Sequence, residues 1–125
     1  ESDFSSNTSI YQAVLVVTDW SNIGYEYSFS TLRPVMFVNT PMKVINPDYK
    51  EIGVVPIDLS LRSEIGIEVT GRSADEVAEA AEKLLKTKCF SAEQISEARD
   101  CSLFNVGKSD EVGGKYILSR LSQKK

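Results

Sequence analysis

Residues 13–39, AVLVVTDWSNIGYEYSFSTLRPVMFVN, decide the fold. The opening run, 13–18, is β-rich and apolar on both faces, the pattern of a central parallel strand covered on both sides. A polar step follows at Thr18-Asp19-Trp20-Ser21-Asn22. The spacing then predicts a short helix over 23–32, with Ile23, Tyr27 and either Phe29 or Leu32 turned inward. Arg33-Pro34 ends it, because proline lacks the amide proton and its ring clashes with the preceding turn. Residues 35–39 read as a second buried strand. Strand, helix and strand in so short a stretch make a compact βαβ unit, whose crossover is expected to be right-handed.

Working outward, residues 1–9 are a polar lead-in, and 10–12 start a short helix or turn. Residues 40–56 form a long irregular stretch containing Pro41, Pro47 and Pro56, the kind of loop that is often functional in a compact domain. A short helix is predicted over 58–64 and a third strand over 66–70. Ser73 and Glu76 form a capping box for a helix running to about Lys88, with Val77, Ala80, Ala81, Leu84 and Leu85 on its apolar face. Asp75 and Glu76 at its start and Lys83, Lys86 and Lys88 near its end complement the helix dipole. Ser91 and Gln94 cap another helix over 91–100. Ser109 is expected to cap a last helix that turns Val112, Tyr116, Ile117 and Leu121 inward. The sum is one α/β domain over 1–125, a Rossmann-like parallel-sheet half-domain.

Composition narrows the function. A net charge of −4 and the absence of any long Lys/Arg run argue against a nucleic-acid partner, which calls for a basic footprint. The first nine residues, ESDFSSNTS, are not a signal peptide. Cys89 and Cys101, without a secretion signal, are expected to stay reduced, which points to the cytoplasm. Two soft ligands without histidine make a poor zinc site, and no cofactor or metal is expected. The chain contains no histidine at all. Histidine is the usual general acid/base near neutral pH, so a reaction that needs one must take it from elsewhere, and serine-nucleophile triads fail for the same reason.

The corner at 18–22 concentrates hydrogen-bonding side chains at the carboxyl end of a strand and the start of a helix. Ligands of parallel sheets bind beyond such strand ends, and the free N–H groups of a helix start attract anions. Ser21 and Asn22 suit a phosphate. Asp19 would repel one, but could accept from a sugar hydroxyl or hold the turn; Asp19 or Ser21 could equally be a plain N-cap. Glu26, one turn into the helix, is either a solvated carboxylate or a ribose ligand. Lys43 could neutralise a phosphate from the long loop, or be a solvated loop lysine. Arg62 could pair with a phosphate or with Glu64, and Trp20 could stack near a base or simply pack.

The stretch TDWSNIGYEYSFSTLRPVMFVNTP resembles the C-terminal signature of the CDP-glycerol glycerophosphotransferases, the teichoic-acid polymerase family. The matching positions are Thr18, Asp19, Trp20, Ser21, Glu26 and Pro34, and the similarity extends to MKVINPDYKEIG, LRSEIG and FNVGKSDEVGGKYIL. The chain differs in having Asn22 where the family often has a second serine, and Glu26 where aspartate is common. The resemblance implies the C-terminal, donor-binding domain of a GT-B transferase, with CDP-glycerol or another nucleotide-linked donor held by Asp19, Ser21, Asn22, Glu26 and Lys43. It implies that the catalytic histidines lie in an N-terminal domain outside this chain, which would be the partner closing the cleft. Any membrane contact, at the inner face, would belong to that missing part. Two alternatives stay open: a GT-B glycosyltransferase using a nucleotide sugar, and a non-catalytic α/β binding module.

Overall fold

The computed structural model describes residues 8–42, 46–71 and 73–123. Strand β2 (Val35–Val38) lies at the centre of a three-stranded sheet. It pairs in parallel with β1 (Val16–Thr18) on one side and β3 (Gly66–Val69) on the other. Val16 stands opposite Val35, which stands opposite Gly66; Thr18, Phe37 and Glu68 are aligned in the same way. Val35, Met36 and Phe37 are fully buried, as expected for an apolar strand covered on both faces. Strand alternation sends Val35 and Phe37 to one face and Met36 to the other.

On the first face Val35 and Phe37 pack with Tyr27, Leu61, Ile65, Ile95 and Ala98. These come from α2 (Ile23–Thr31), from the α3–α4 pair (Ile57–Ser60 and Arg62–Ile65), and from α6 (Ala92–Ser102). Helix α5 (Ala74–Thr87) follows β3 and packs against it, and its buried residue is Leu84. The result is the expected α/β half-domain of Rossmann-like form, with an open parallel sheet in the order β1-β2-β3. No described helix is long and apolar enough to cross a membrane.

Helix α2 approaches the sheet closely. A β-carbon on the buried Gly24 would lie 3.0 Å from Phe37, 3.1 Å from Thr18 and 3.2 Å from Val35 side-chain atoms. The helix stops at Leu32, whose backbone is left-handed (φ 53°) and whose N–H donates to the Ser28 carbonyl at 2.8 Å. The Tyr27 hydroxyl donates to the Ala13 carbonyl at 3.0 Å, and Arg33 donates to the same oxygen at 2.6 Å. These bonds tie the segment behind α1 (Thr8–Gln12) to the helix. Ser28 is fully buried and its hydroxyl has no hydrogen-bond partner. Replacing it by alanine removes an unsatisfied polar group and improves helix propensity. Ser28→Ala is therefore expected to stabilise the fold by about 0.5–1 kcal/mol in urea denaturation.

The serine halves of both capping boxes form where predicted, while the Gln94 side chain donates to the Glu64 carbonyl at 3.1 Å. Ser73 Oγ accepts the Glu76 N–H at 3.2 Å and Ser91 Oγ accepts the Gln94 N–H at 3.1 Å. Glu76 also accepts from the Thr70 hydroxyl at 2.5 Å, joining the end of β3 to the start of α5.

Several expectations are corrected. The first strand is the edge of the sheet, not its centre, and comprises three residues rather than 13–18. An edge strand has a neighbour on one side only, so Val14 and Val17 reach solvent despite their apolar run. The helix predicted over 58–64 is two short helices that meet at Leu61, starting one residue earlier. Leu85 is exposed, because only a narrow stripe of α5 meets the sheet. The largest correction concerns α7 (Ser109–Ser122), where Val112, Tyr116, Ile117 and Leu121 all face outward and no residue is buried. Ser109 does not cap it. It lies inside the first turn, and its hydroxyl donates backward to the Asn105 carbonyl at 3.0 Å.

Candidate functional site at the carboxyl ends of the strands

The three strands end on the same side at Thr18, Val38 and Val69, and one side chain ties all three ends together. Arg62, the first residue of α4, is only 2% exposed. Its guanidinium lies between two aromatic rings, 4.2 Å from the centroid of Trp20 and 4.3 Å from that of Phe37. Nη1 donates to the Asp19 carbonyl at 3.2 Å, Nη2 donates to Asn39 Oδ1 at 2.7 Å, and Nε pairs with Glu68 Oε2 at 3.2 Å. Stacking and planar hydrogen bonding suit arginine, not lysine. Trp20 is fixed in turn by its indole N–H, which donates to the Thr40 carbonyl at 2.9 Å. Glu68 keeps its side chain 40% exposed, so the pair joins a buried cation to a carboxylate that water still reaches.

Tyr25 extends this cluster toward the α3 side. Its ring centroid is 5.7 Å from that of Phe37, and its hydroxyl donates to the Asp58 carbonyl. Burial pushes the phenol above its ordinary pKa of 10.0; the Arg62 charge opposes that rise, and the Asp58 and Glu68 carboxylates add to it. A raised acid pKa means that the fold favours the neutral phenol. The stability this provides is fully present below pH 10 and is lost as pH rises through the folded value. Wild type should therefore lose stability above pH 10 more steeply than Tyr25→Phe, as measured by urea midpoints across that range.

The predicted binding residues are divided by this geometry. Asp19 and Ser21 lie exposed at the corner after β1. The Asp19 carbonyl is held by Arg62, so the backbone is fixed while the residue stays open to solvent. Asn22 occupies the N-cap position of α2 with helical backbone angles and no side-chain capping bond, so its amide is not used by the helix. Ser21 Oγ accepts only a long bond, 3.4 Å, from the Ile23 N–H. Asn22 and Glu26 also line a groove of about 200 Å³, together with Tyr25, Phe29, Ile57 and Leu103. Lys43 lies outside the described residues. Arg62 pairs with Glu68 rather than Glu64, and its burial keeps it from meeting a ligand phosphate directly.

Tyr25, Asn39, Asp58 and Glu68 belong to the cluster but did not emerge from the sequence. The usable signal was Glu68, a lone carboxylate inside an apolar strand between Ile67 and Val69. Parallel pairing sets it opposite Phe37, where a charge needs a cation nearby.

The site is thus a rigid, arginine-anchored floor beneath an open corner bearing the Ser21 hydroxyl and the Asn22 amide. No family model, no curated protein and no solved structure matches this chain.

Proposed function

We propose that this chain is the donor-nucleotide-binding domain of a GT-B type transferase that moves glycerol phosphate from CDP-glycerol to an acceptor hydroxyl in surface-polymer synthesis. The observation that carries this reading is the exposed polar pair at the amino end of α2, where Asn22 makes no capping bond and Ser21 accepts only a long one of 3.4 Å. Ser21 and Asn22 are exposed beyond the carboxyl end of β1, and the Asn22 side chain is not used as a cap. The resemblance of 18–34 to the glycerophosphotransferase signature supplies the donor identity.

In this reading the Ser21 hydroxyl and Asn22 amide donate to the diphosphate, aided by the positive end of the helix dipole. Glu26 accepts from the ribose hydroxyls and Asp19 from a further donor hydroxyl. The acceptor hydroxyl loses its proton to a base on another domain, since this chain has no histidine. Its oxygen attacks the phosphorus next to glycerol, the bond from that phosphorus to the bridging oxygen breaks, and CMP leaves with that oxygen. Ser21 and Asn22 stabilise the charge developing on the departing phosphate, which is electrostatic catalysis without proton transfer by this chain.

Calorimetric titration of CDP-glycerol into wild type and into the Ser21→Ala and Asn22→Ala variants tests the assignment. Each variant should weaken binding about 5–10-fold, the size of one charge-assisted hydrogen bond. Equal affinity in wild type and both variants would remove the corner from the donor site.

A further inference from the structure

Arg62 is buried, yet it reaches the corner through one bond, from Nη1 to the Asp19 carbonyl at 3.2 Å. That bond fixes the direction of the next amide. The Asp19–Trp20 peptide is trans, so its N–H points opposite to its carbonyl. With the carbonyl turned to the buried guanidinium, the Trp20 N–H faces away from the floor. Trp20 is held in that orientation, because its ring centroid lies 4.2 Å from the guanidinium and its indole N–H donates to the Thr40 carbonyl at 2.9 Å. Among the described residues the Trp20 backbone N–H has no hydrogen-bond partner. A main-chain donor fixed in place without a partner is available to a ligand, and this one lies between the exposed residues Asp19 and Ser21.

We propose that Arg62 is a positioning residue for the donor diphosphate: by holding the Asp19 carbonyl, it presents the Trp20 N–H as a third donor beside the Ser21 hydroxyl and the Asn22 amide. This role rests on the proposal above that the corner binds a diphosphate. A donor fixed before the ligand arrives has little freedom left to lose on binding. Arginine suits the task because its planar fork bonds Asp19 and Asn39 while stacking between Trp20 and Phe37. A lysine ammonium would keep the charge but could not hold those partners together. Glu68 moderates the cation, since its carboxylate pairs with Nε at 3.2 Å without touching the Asp19 bond. Bond and charge can therefore be separated. Removing Arg62 abolishes both, whereas neutralising Glu68 leaves the bond and unmasks the charge.

Inorganic pyrophosphate and CDP-glycerol, titrated into the isotope-labelled chain and followed by its amide resonances, test this role. In wild type the Trp20 amide proton should move downfield with either ligand, the sign of a new hydrogen bond to an anion. Arg62→Met should weaken pyrophosphate binding about tenfold. Arg62→Lys should weaken it at least about fivefold, because the charge remains but the fork does not. Glu68→Gln should strengthen it about two- to threefold, because the Asp19 bond remains and the cation loses its counter-charge. A purely structural role would weaken binding in all three, since Glu68→Gln also removes an ion pair of the fold. A Trp20 amide that stays still when ligand binds, full affinity in Arg62→Lys, or a loss in Glu68→Gln matching that in Arg62→Met would each overturn the proposal. The first two need only wild type and the lysine variant, so they decide it even where Arg62→Met does not fold. The expected pattern with pyrophosphate but no binding of CDP-glycerol would support the role of Arg62 and overturn the donor identity alone; binding of neither would overturn both.

Discussion

Gly66→Ala is expected to destabilise the protein by at least about 3 kcal/mol, a large share of the stability of a domain of this size. A β-carbon at Gly66 would lie 2.0 Å from the Val35 carbonyl oxygen and 2.8 Å from its carbonyl carbon. Backbone strain does not enter, since Gly66 is fully extended (φ −177°), a conformation open to any residue. The cost is steric, and the obstructing atoms are backbone, which cannot rotate away as a side chain would. Gly66 opens β3 and stands in register with Val35, the buried start of the central strand. Relief would require β2 and β3 to part where the sheet is best packed. Urea denaturation should show a midpoint far below that of wild type, or no cooperative transition. Gly113→Ala provides the control. A β-carbon there meets nothing, and within a helix the change should stabilise by about 0.5–1 kcal/mol.

Arg62→Met should cost about 2–4 kcal/mol. Methionine keeps much of the volume between Trp20 and Phe37 but leaves the Asp19 carbonyl and Asn39 without their donor. The two halves of the ion pair are not equivalent. Removing Arg62 leaves a Glu68 carboxylate that is already 40% exposed and readily hydrated. Glu68→Gln instead leaves a buried cation facing neutral acceptors, so its cost comes from uncompensated charge. The double variant Arg62→Met/Glu68→Gln should accordingly be more stable than the sum of the single losses implies, with a coupling of about 1–3 kcal/mol in a double-mutant cycle. Arg62→Met should also speed amide exchange at 19–22, because the corner loses the bond that fixes its backbone.

Local signals in the sequence carried the connectivity well. Pro34 after Arg33 marked the end of α2, the serine caps marked the starts of α5 and α6, and the βαβ reading of 13–39 led to two paired parallel strands. Position within the sheet was less legible. The run at 13–18 is as apolar as 35–38, yet one becomes an edge and the other the centre, because that outcome depends on which strand gains two neighbours. The apolar residues of α7 misled for a related reason: periodicity shows which side of a helix is apolar, not whether anything in the same chain covers it. At the candidate site, the corner residues Asp19, Ser21 and Asn22 were visible as a polar step at a strand-to-helix junction. The arginine beneath them was visible as a residue but not as an anchor. Its partners Asp19, Asn39 and Glu68 come from three separate segments, and only the folded sheet brings them within reach.

The most direct measurement is a titration of CDP-glycerol, CDP and UDP-glucose into the isotope-labelled chain, following its amide resonances. Shifts should be confined to 19–26 and the adjoining residues after β2, with both cytidine compounds preferred over UDP-glucose. Shifts centred elsewhere, equal response to the uridine donor, or no response from either this chain or a longer native chain containing it would contradict a cytidine-nucleotide donor site at this corner.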